Sequence, residues 1–183
     1  MIRTSIALAT ALLFAGAPAL AEEKAKTSDA TKAAVTEIAK TATPAAAGQH
    51  RTYTPADLKW SDPPPGLPKG AKVAVLQGDP SAPGAFTMRV TLPAGYRVAP
   101  HHHPADENLT VLSGELYMGM GDVFDEAKAQ ALGPGSFSAM PVGVRHYAFT
   151  KAETVFQVHA MGPWGIVYVN PQDDPRNAKQ VTK

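Results

Sequence analysis

The chain has 183 residues, 44% hydrophobic and 18% charged, with a formal net charge of +1. A balance so near neutrality gives no electrostatic ground for nucleic acid or an anionic membrane surface as partner, and the length fits one domain. Cysteine is absent, which excludes disulfides, a thiolate nucleophile and any thiolate metal ligand.

In chain order, residues 1–21 read as a secretory signal. Arg3 supplies the positive start, Ile6 to Phe14 the apolar run, and Ala19-Leu20-Ala21 the small-residue cleavage site. A bilayer span takes about 20 apolar residues, more than this run offers. Cleavage after Ala21, export to a bacterial periplasm or beyond, and no stable membrane insertion are therefore expected. Residues 22–50 are rich in Ala, Lys and Thr and read as a flexible tether. A weak helix over Thr27 to Lys40, capped by Ser28 or Asp29, would bury little because its apolar positions are mostly Ala. His50 falls at the end of this tether and reads as solvated.

Residues 51–71 read as an extended arm lying on the following domain. Thr54-Pro55-Ala56-Asp57-Leu58 predicts one helical turn with Thr as cap and Pro at its first position. Trp60 is expected to pack down, and Pro63-Pro64-Pro65 cannot join a central strand. From residue 72 to 170 the pattern is strand, turn, strand. Val73 to Gln77, Phe86 to Leu92, Asn108 to Leu112, Glu115 to Met120, Phe137 to Met140, His146 to Thr150, Thr154 to Met161 and Gly165 to Val169 are short β-type runs. Gly and Pro punctuate them regularly, which argues for an all-β sandwich or barrel. One helical turn is expected at Asp125 to Leu132, and the polar tail, residues 171–183, is expected to fray.

Two stretches carry the chemistry. The first runs Gly95-Tyr-Arg-Val-Ala-Pro-His101-His-His103-Pro-Ala-Asp-Glu107 and on to Gly114; the second runs Gly135-Ser-Phe-Ser-Ala-Met-Pro141-Val-Gly143-Val-Arg-His146. Side chains alternate along a strand, so His101 and His103 share a face and His102 takes the other. Glu107 follows a bend at Pro104, and His146 comes from a distant strand. Three imidazoles and one carboxylate make a complete set of protein ligands for a divalent ion: Fe, Mn, Zn, Ni or Cu. Glu107 is also a candidate general base. Gln157 and His159, two apart on an apolar strand, are candidates to line the same cavity. Tyr117, Met118 and Met120 are expected to pack the barrel, Trp164 to plug its edge, and Arg145 to point away from the metal.

These stretches resemble the two motifs of the cupin superfamily, G-x5-H-x-H-x3,4-E-x6-G and G-x5-P-x-G-x2-H-x3-N. Nine fixed positions are met, and Thr150 stands where the second motif usually has Asn. The resemblance covers residues 72–170 and implies a single-domain cupin jelly-roll β-barrel with a short helical turn between the motifs. More narrowly, the chain looks like the cupins related to the ChrR anti-sigma C-terminal domain. An exported chain cannot reach a sigma factor, so the resemblance carries over the fold and not that role.

Two function classes follow. One is a small-molecule metalloenzyme, a dioxygenase with Fe or Mn or a Lewis-acid isomerase or hydrolase, acting on a ligand that offers two oxygens. The other is a non-catalytic metal- or ligand-binding or sensing module built on a closed zinc site. The sequence leaves the oligomeric state open; cupins often form homodimers through barrel edges, and Val73 to Gln77 is a plausible edge.

Overall fold

A computed structural model describes residues 50–177. The expected signal over 1–21 and the tether helix over Thr27 to Lys40 lie outside the described residues. The chain divides after Arg51 into two units, and the barrel belongs to the second. Among the described residues no helix is long and apolar enough to cross a membrane.

Among the described residues ten strands follow one another: β1 (Lys72–Gln77), β2 (Gly84–Leu92), β3 (Arg97–His102), β4 (Glu107–Ser113), β5 (Leu116–Met120), β6 (Gln130–Leu132), β7 (Phe137–Met140), β8 (His146–Thr150), β9 (Thr154–Gly162) and β10 (Val167–Tyr168). They form two five-stranded sheets, ordered β1-β2-β9-β4-β7 and β10-β3-β8-β5-β6. Every ladder between these strands is antiparallel. This is an all-β architecture, as the strand pattern leads one to expect, and its two packed antiparallel sheets are consistent with the jelly roll that the resemblance implies.

Alternation decides what fills the barrel. On β4, Glu107, Leu109 and Val111 are buried while Asn108 and Thr110 are not; on β9, Thr154, Phe156 and Val158 are buried. The inward residues of both sheets, with Phe86, Val90, Leu92, Val98, Leu116 and Met118, make one apolar cluster. Each large side chain so buried contributes roughly 1.5–3 kcal/mol. The β4–β5 turn depends on Gly114: its φ is +73°, and a Cβ there would collide with the Glu153 carbonyl oxygen.

The structure corrects several local expectations. Only Glu126–Lys128 is helical between the motifs, as a 3-10 turn started by Asp125, whose carboxylate accepts the Ala127 N–H. Residues 130–132 pair instead as β6, because opposite Leu116 the extended chain buries Leu132. Trp60 is 39% exposed and not packed down. The arm holds the barrel by backbone bonds beside it, Ser61 and Val73 exchanging N–H and C=O at 2.9 Å each way. These bonds also occupy part of the β1 edge. Tyr96 and Tyr168 reach back from the barrel and donate their hydroxyls to the carbonyls of Pro68 and Gly66, at 2.5 and 2.8 Å. Beyond β10 the tail does not fray at once: Pro171–Asp173 and Pro175–Asn177 are 3-10 turns, and Arg176 donates to the Ile166 carbonyl at 2.9 Å.

Candidate metal centre

The ladders bring the two motifs together. His101 on β3 lies directly opposite His146 on β8, so both rings enter the barrel from one face. His103 follows just past the end of β3, and Glu107 opens β4 in the facing sheet. The Gly143 N–H bonds to the His103 carbonyl at 3.1 Å, which ties the second motif's turn to the first motif's histidines. Ring centroids are 4.2 Å apart for His101 and His146, 5.0 Å for His101 and His103, and 5.3 Å for His103 and His146. All three histidines and Glu107 are buried.

The hydrogen bonds of the rings settle which nitrogen faces inward. The Nδ1 atoms of His101, His103 and His146 lie 2.7, 2.7 and 3.1 Å from the carbonyl oxygens of Ala99, Gly165 and Val144. A carbonyl can only accept, so each Nδ1 carries the hydrogen and each Nε2 keeps its lone pair. One Glu107 carboxylate oxygen sits 3.5 Å from the Nε2 of His103 and 3.5 Å from that of His146. Two ligand atoms each about 2.1 Å from one ion stand roughly 3.0–3.4 Å apart, close to these separations. The ligand atoms of the three histidines lie within 4.8 Å of one another and the carboxylate stands beside two of them, and such a set fits a divalent cation. Backbone carbonyls behind the rings fix their orientation, as the outer partners of a metal site do.

Burial holds His101 well below the usual histidine range, and the neighbouring His146 and His103 push it further down. Burial also lowers His103, against an opposing pull from Glu107. Both favour the neutral, ligating form.

The other candidates separate from this cluster. His102 stays outside it, its Nδ1 enclosed without a hydrogen-bond partner among the described residues. Gln157 and His159 do not line the cavity. Phe156 and Val158 take the inward face of β9, so Gln157 and His159 point out, where Arg89 donates to Gln157 at 3.0 Å and Thr87 meets the His159 Nδ1 at 3.1 Å. The strand's apolar residues mark its inner face, and parity alone excludes these two. Arg145 pairs with Asp122 at 2.5 Å, away from the cluster. Thr150 does not approach it either. Its hydroxyl donates to the Pro93 carbonyl at 2.6 Å and accepts from the Tyr96 N–H at 3.2 Å, so it clamps the turn that leads into the first motif.

Two aromatic residues wall the site. Trp164, which the sequence marked only as an edge plug, stacks on His103 with centroids 4.2 Å apart and planes 14° apart, and meets Phe86 edge-on. Tyr168 lies 6.0 Å from the His101 ring.

Among solved structures the fold is similar to the polyketide cyclase RemF from Streptomyces resistomycificus, at a TM-score of 0.58 and 21% identity over 69% of this chain and 90% of that one. It is similar to a Methylibium petroleiphilum protein provisionally assigned as an acetylacetone dioxygenase, at a TM-score of 0.52 and 21% identity over 72% and 89%. It is also similar to the DMSP lyase DddQ from Ruegeria pomeroyi, at a TM-score of 0.51 and 24% identity over 64% of each chain. At such identities the likeness speaks for the fold. No curated protein sequence matches the chain. The family described as "Domain of unknown function (DUF4437)" matches residues 52–167, which take in nearly all of the barrel and all three clustered histidines, and the chain belongs to that family.

Proposed function

We propose that this protein is an exported metal-dependent enzyme acting on a small molecule that presents two oxygen atoms to the ion. The observation that carries the proposal is the gathering of three buried histidines whose ligand atoms lie within 4.8 Å of one another, with the Glu107 carboxylate beside two of them. His101, His103, Glu107 and His146 hold the ion. A bound divalent metal supplies Lewis acidity to the substrate's oxygens, and Fe or Mn adds access to O2 chemistry. The buried aliphatic side chains beside the ligands, Leu109 and Val111, limit water. That strengthens every charge interaction in the site. Glu107, as the one carboxylate at the cluster, is the candidate base. The names of the similar folds, a cyclase, a lyase and a dioxygenase, support small-molecule chemistry.

Elemental analysis of the mature protein, purified from the periplasm without chelators, tests this, with coordination read by X-ray absorption. Iron or manganese in six-coordinate form with bound water is expected. Fully occupied four-coordinate zinc with no open position would instead make the protein a binding or sensing module. Intact residues 1–21 on periplasmic protein, seen by mass spectrometry, would refute cleavage of the signal.

A further inference from the structure

The barrel is closed on one side of the metal ligands and open on the other. On the side of β1 and β10, Trp164 covers His103, and Tyr168 stands beside His101 with its hydroxyl bonded to Gly66. Gly66 itself sits so tightly on Ile166 that a Cβ there would overlap it. On the opposite side the sheet edges are β6 and β7, and a gap of about 420 Å³ lies between them. Its lining includes Met118, Met120, Gln130, Leu132, Phe137 and Ser138. The Ser138 hydroxyl touches the Met118 sulfur at 3.7 Å and bridges the two sheets at its floor.

Register connects this gap to the ligands. Met120 is the direct cross-strand partner of His146, and Met140 is that of Glu107. Directly opposed residues share a face, with Cβ atoms roughly 4.5–5.5 Å apart. Met120 therefore belongs to the inner face beside a ligand, yet it is 58% exposed. A side chain both inward and exposed stands at a mouth. The gap's one cation, Lys128, is paired with Asp125 at 3.0 Å. No unpaired charge remains among the lining residues to hold a second charged group. Met118, Met120, Leu132 and Phe137 form an apolar wall beside the polar Gln130 and Ser138, and the two thioethers on that wall adapt their shape to an apolar guest.

We infer that the gap between the β5–β6 hairpin and β7 is the substrate port, and that it takes a molecule whose chelating oxygens are carried on an uncharged apolar tail. This rests on the metal-dependent reading above. The oxygens reach the metal ligands past Met120, and the tail stays against Met118, Met120 and Leu132.

Alkyl hydroxamates, bidentate oxygen ligands with tails of any length, test it on the zinc-loaded protein. Octanohydroxamate is expected to bind at least about tenfold more tightly than acetohydroxamate in calorimetry, from the added buried methylenes. In ¹³C-methyl-methionine spectra its tail shifts Met118 and Met120 and leaves Met88 and Met161 in place. Met120→Lys brings the two affinities within about twofold while zinc content is retained, and Met161→Lys keeps the full difference. Equal affinities in the parent protein, or a difference untouched by Met120→Lys, overturn the port. If neither hydroxamate binds, the open coordination has failed, and hexanol on the metal-free chain decides the port separately. Shifts at Met118 and Met120 uphold it, and their absence rejects it.

Discussion

Trp164 lies flat against His103, ring on ring at 4.2 Å. An indole so placed is a built-in reporter of whatever His103 holds. Titration of the metal-free protein with Cu(II) is expected to quench the Trp164 emission. Trp60, the second tryptophan, sits on the arm. The quench should survive Trp60→Phe and vanish in Trp164→Phe. Equal quenching in both variants would mean that the ion binds elsewhere.

His101→Ala and His146→Ala are expected to lower metal content to background, because each removes one of a small set of ligands. His102→Ala is expected to leave it near the parent level, since His102 is outside the cluster. Elemental analysis of the three variants checks this. Equal loss from all three would contradict the alternation that separates His102 from its neighbours.

Metal-free protein is expected to lose stability as pH falls through and below about 6.5. His101 and His103 have folded values below the ordinary 6.5. In that window the unfolded chain binds more protons than the folded one, so acid favours unfolding. Protons also compete with the metal for the same lone pairs. Thermal unfolding of the metal-free protein from about pH 8 to about pH 5 should show a falling midpoint. A flat profile would contradict the burial of these rings as neutral groups.

Thr150→Val keeps the shape of the side chain and removes its hydroxyl. The Pro93 carbonyl loses a donor and the Tyr96 N–H loses an acceptor. A loss of about 1–3 kcal/mol in denaturant unfolding is expected, with metal content retained. Loss of metal at unchanged stability would instead give Thr150 a role at the site.

Gly119→Ala probes packing outside the sheet. A Cβ at Gly119 would enter the ring of Tyr147, which is fully buried and donates its hydroxyl to the Asp125 carbonyl at 2.6 Å. Overpacking of this kind costs about 1–3 kcal/mol. Unchanged thermal stability would mean that Tyr147 can swing away without penalty.

The residues of the candidate metal centre were legible in the sequence because their constraint is local. The spacing of His101, His103 and Glu107 and the Pro141-to-His146 turn are set by chain geometry within a few residues. The strand pattern was legible for the same reason, since apolar and polar residues alternate with the pleat. Parity on β9 also marks its outer face, but the sequence did not show what the polar residues there would meet. Gln157 and His159 satisfy each other and their neighbours Arg89 and Thr87 on the outside, an arrangement that depends on the β2–β9 register. The packing of Trp164 onto His103 and the open edge beside Met120 are likewise tertiary facts. They arise where segments 61 and 26 positions apart along the chain meet, through contacts that no local pattern encodes. The sequence by itself determined the candidate ligands and the class of fold; only the closure of one sheet over the other decided which side chains wall them, because that depends on contacts between distant segments.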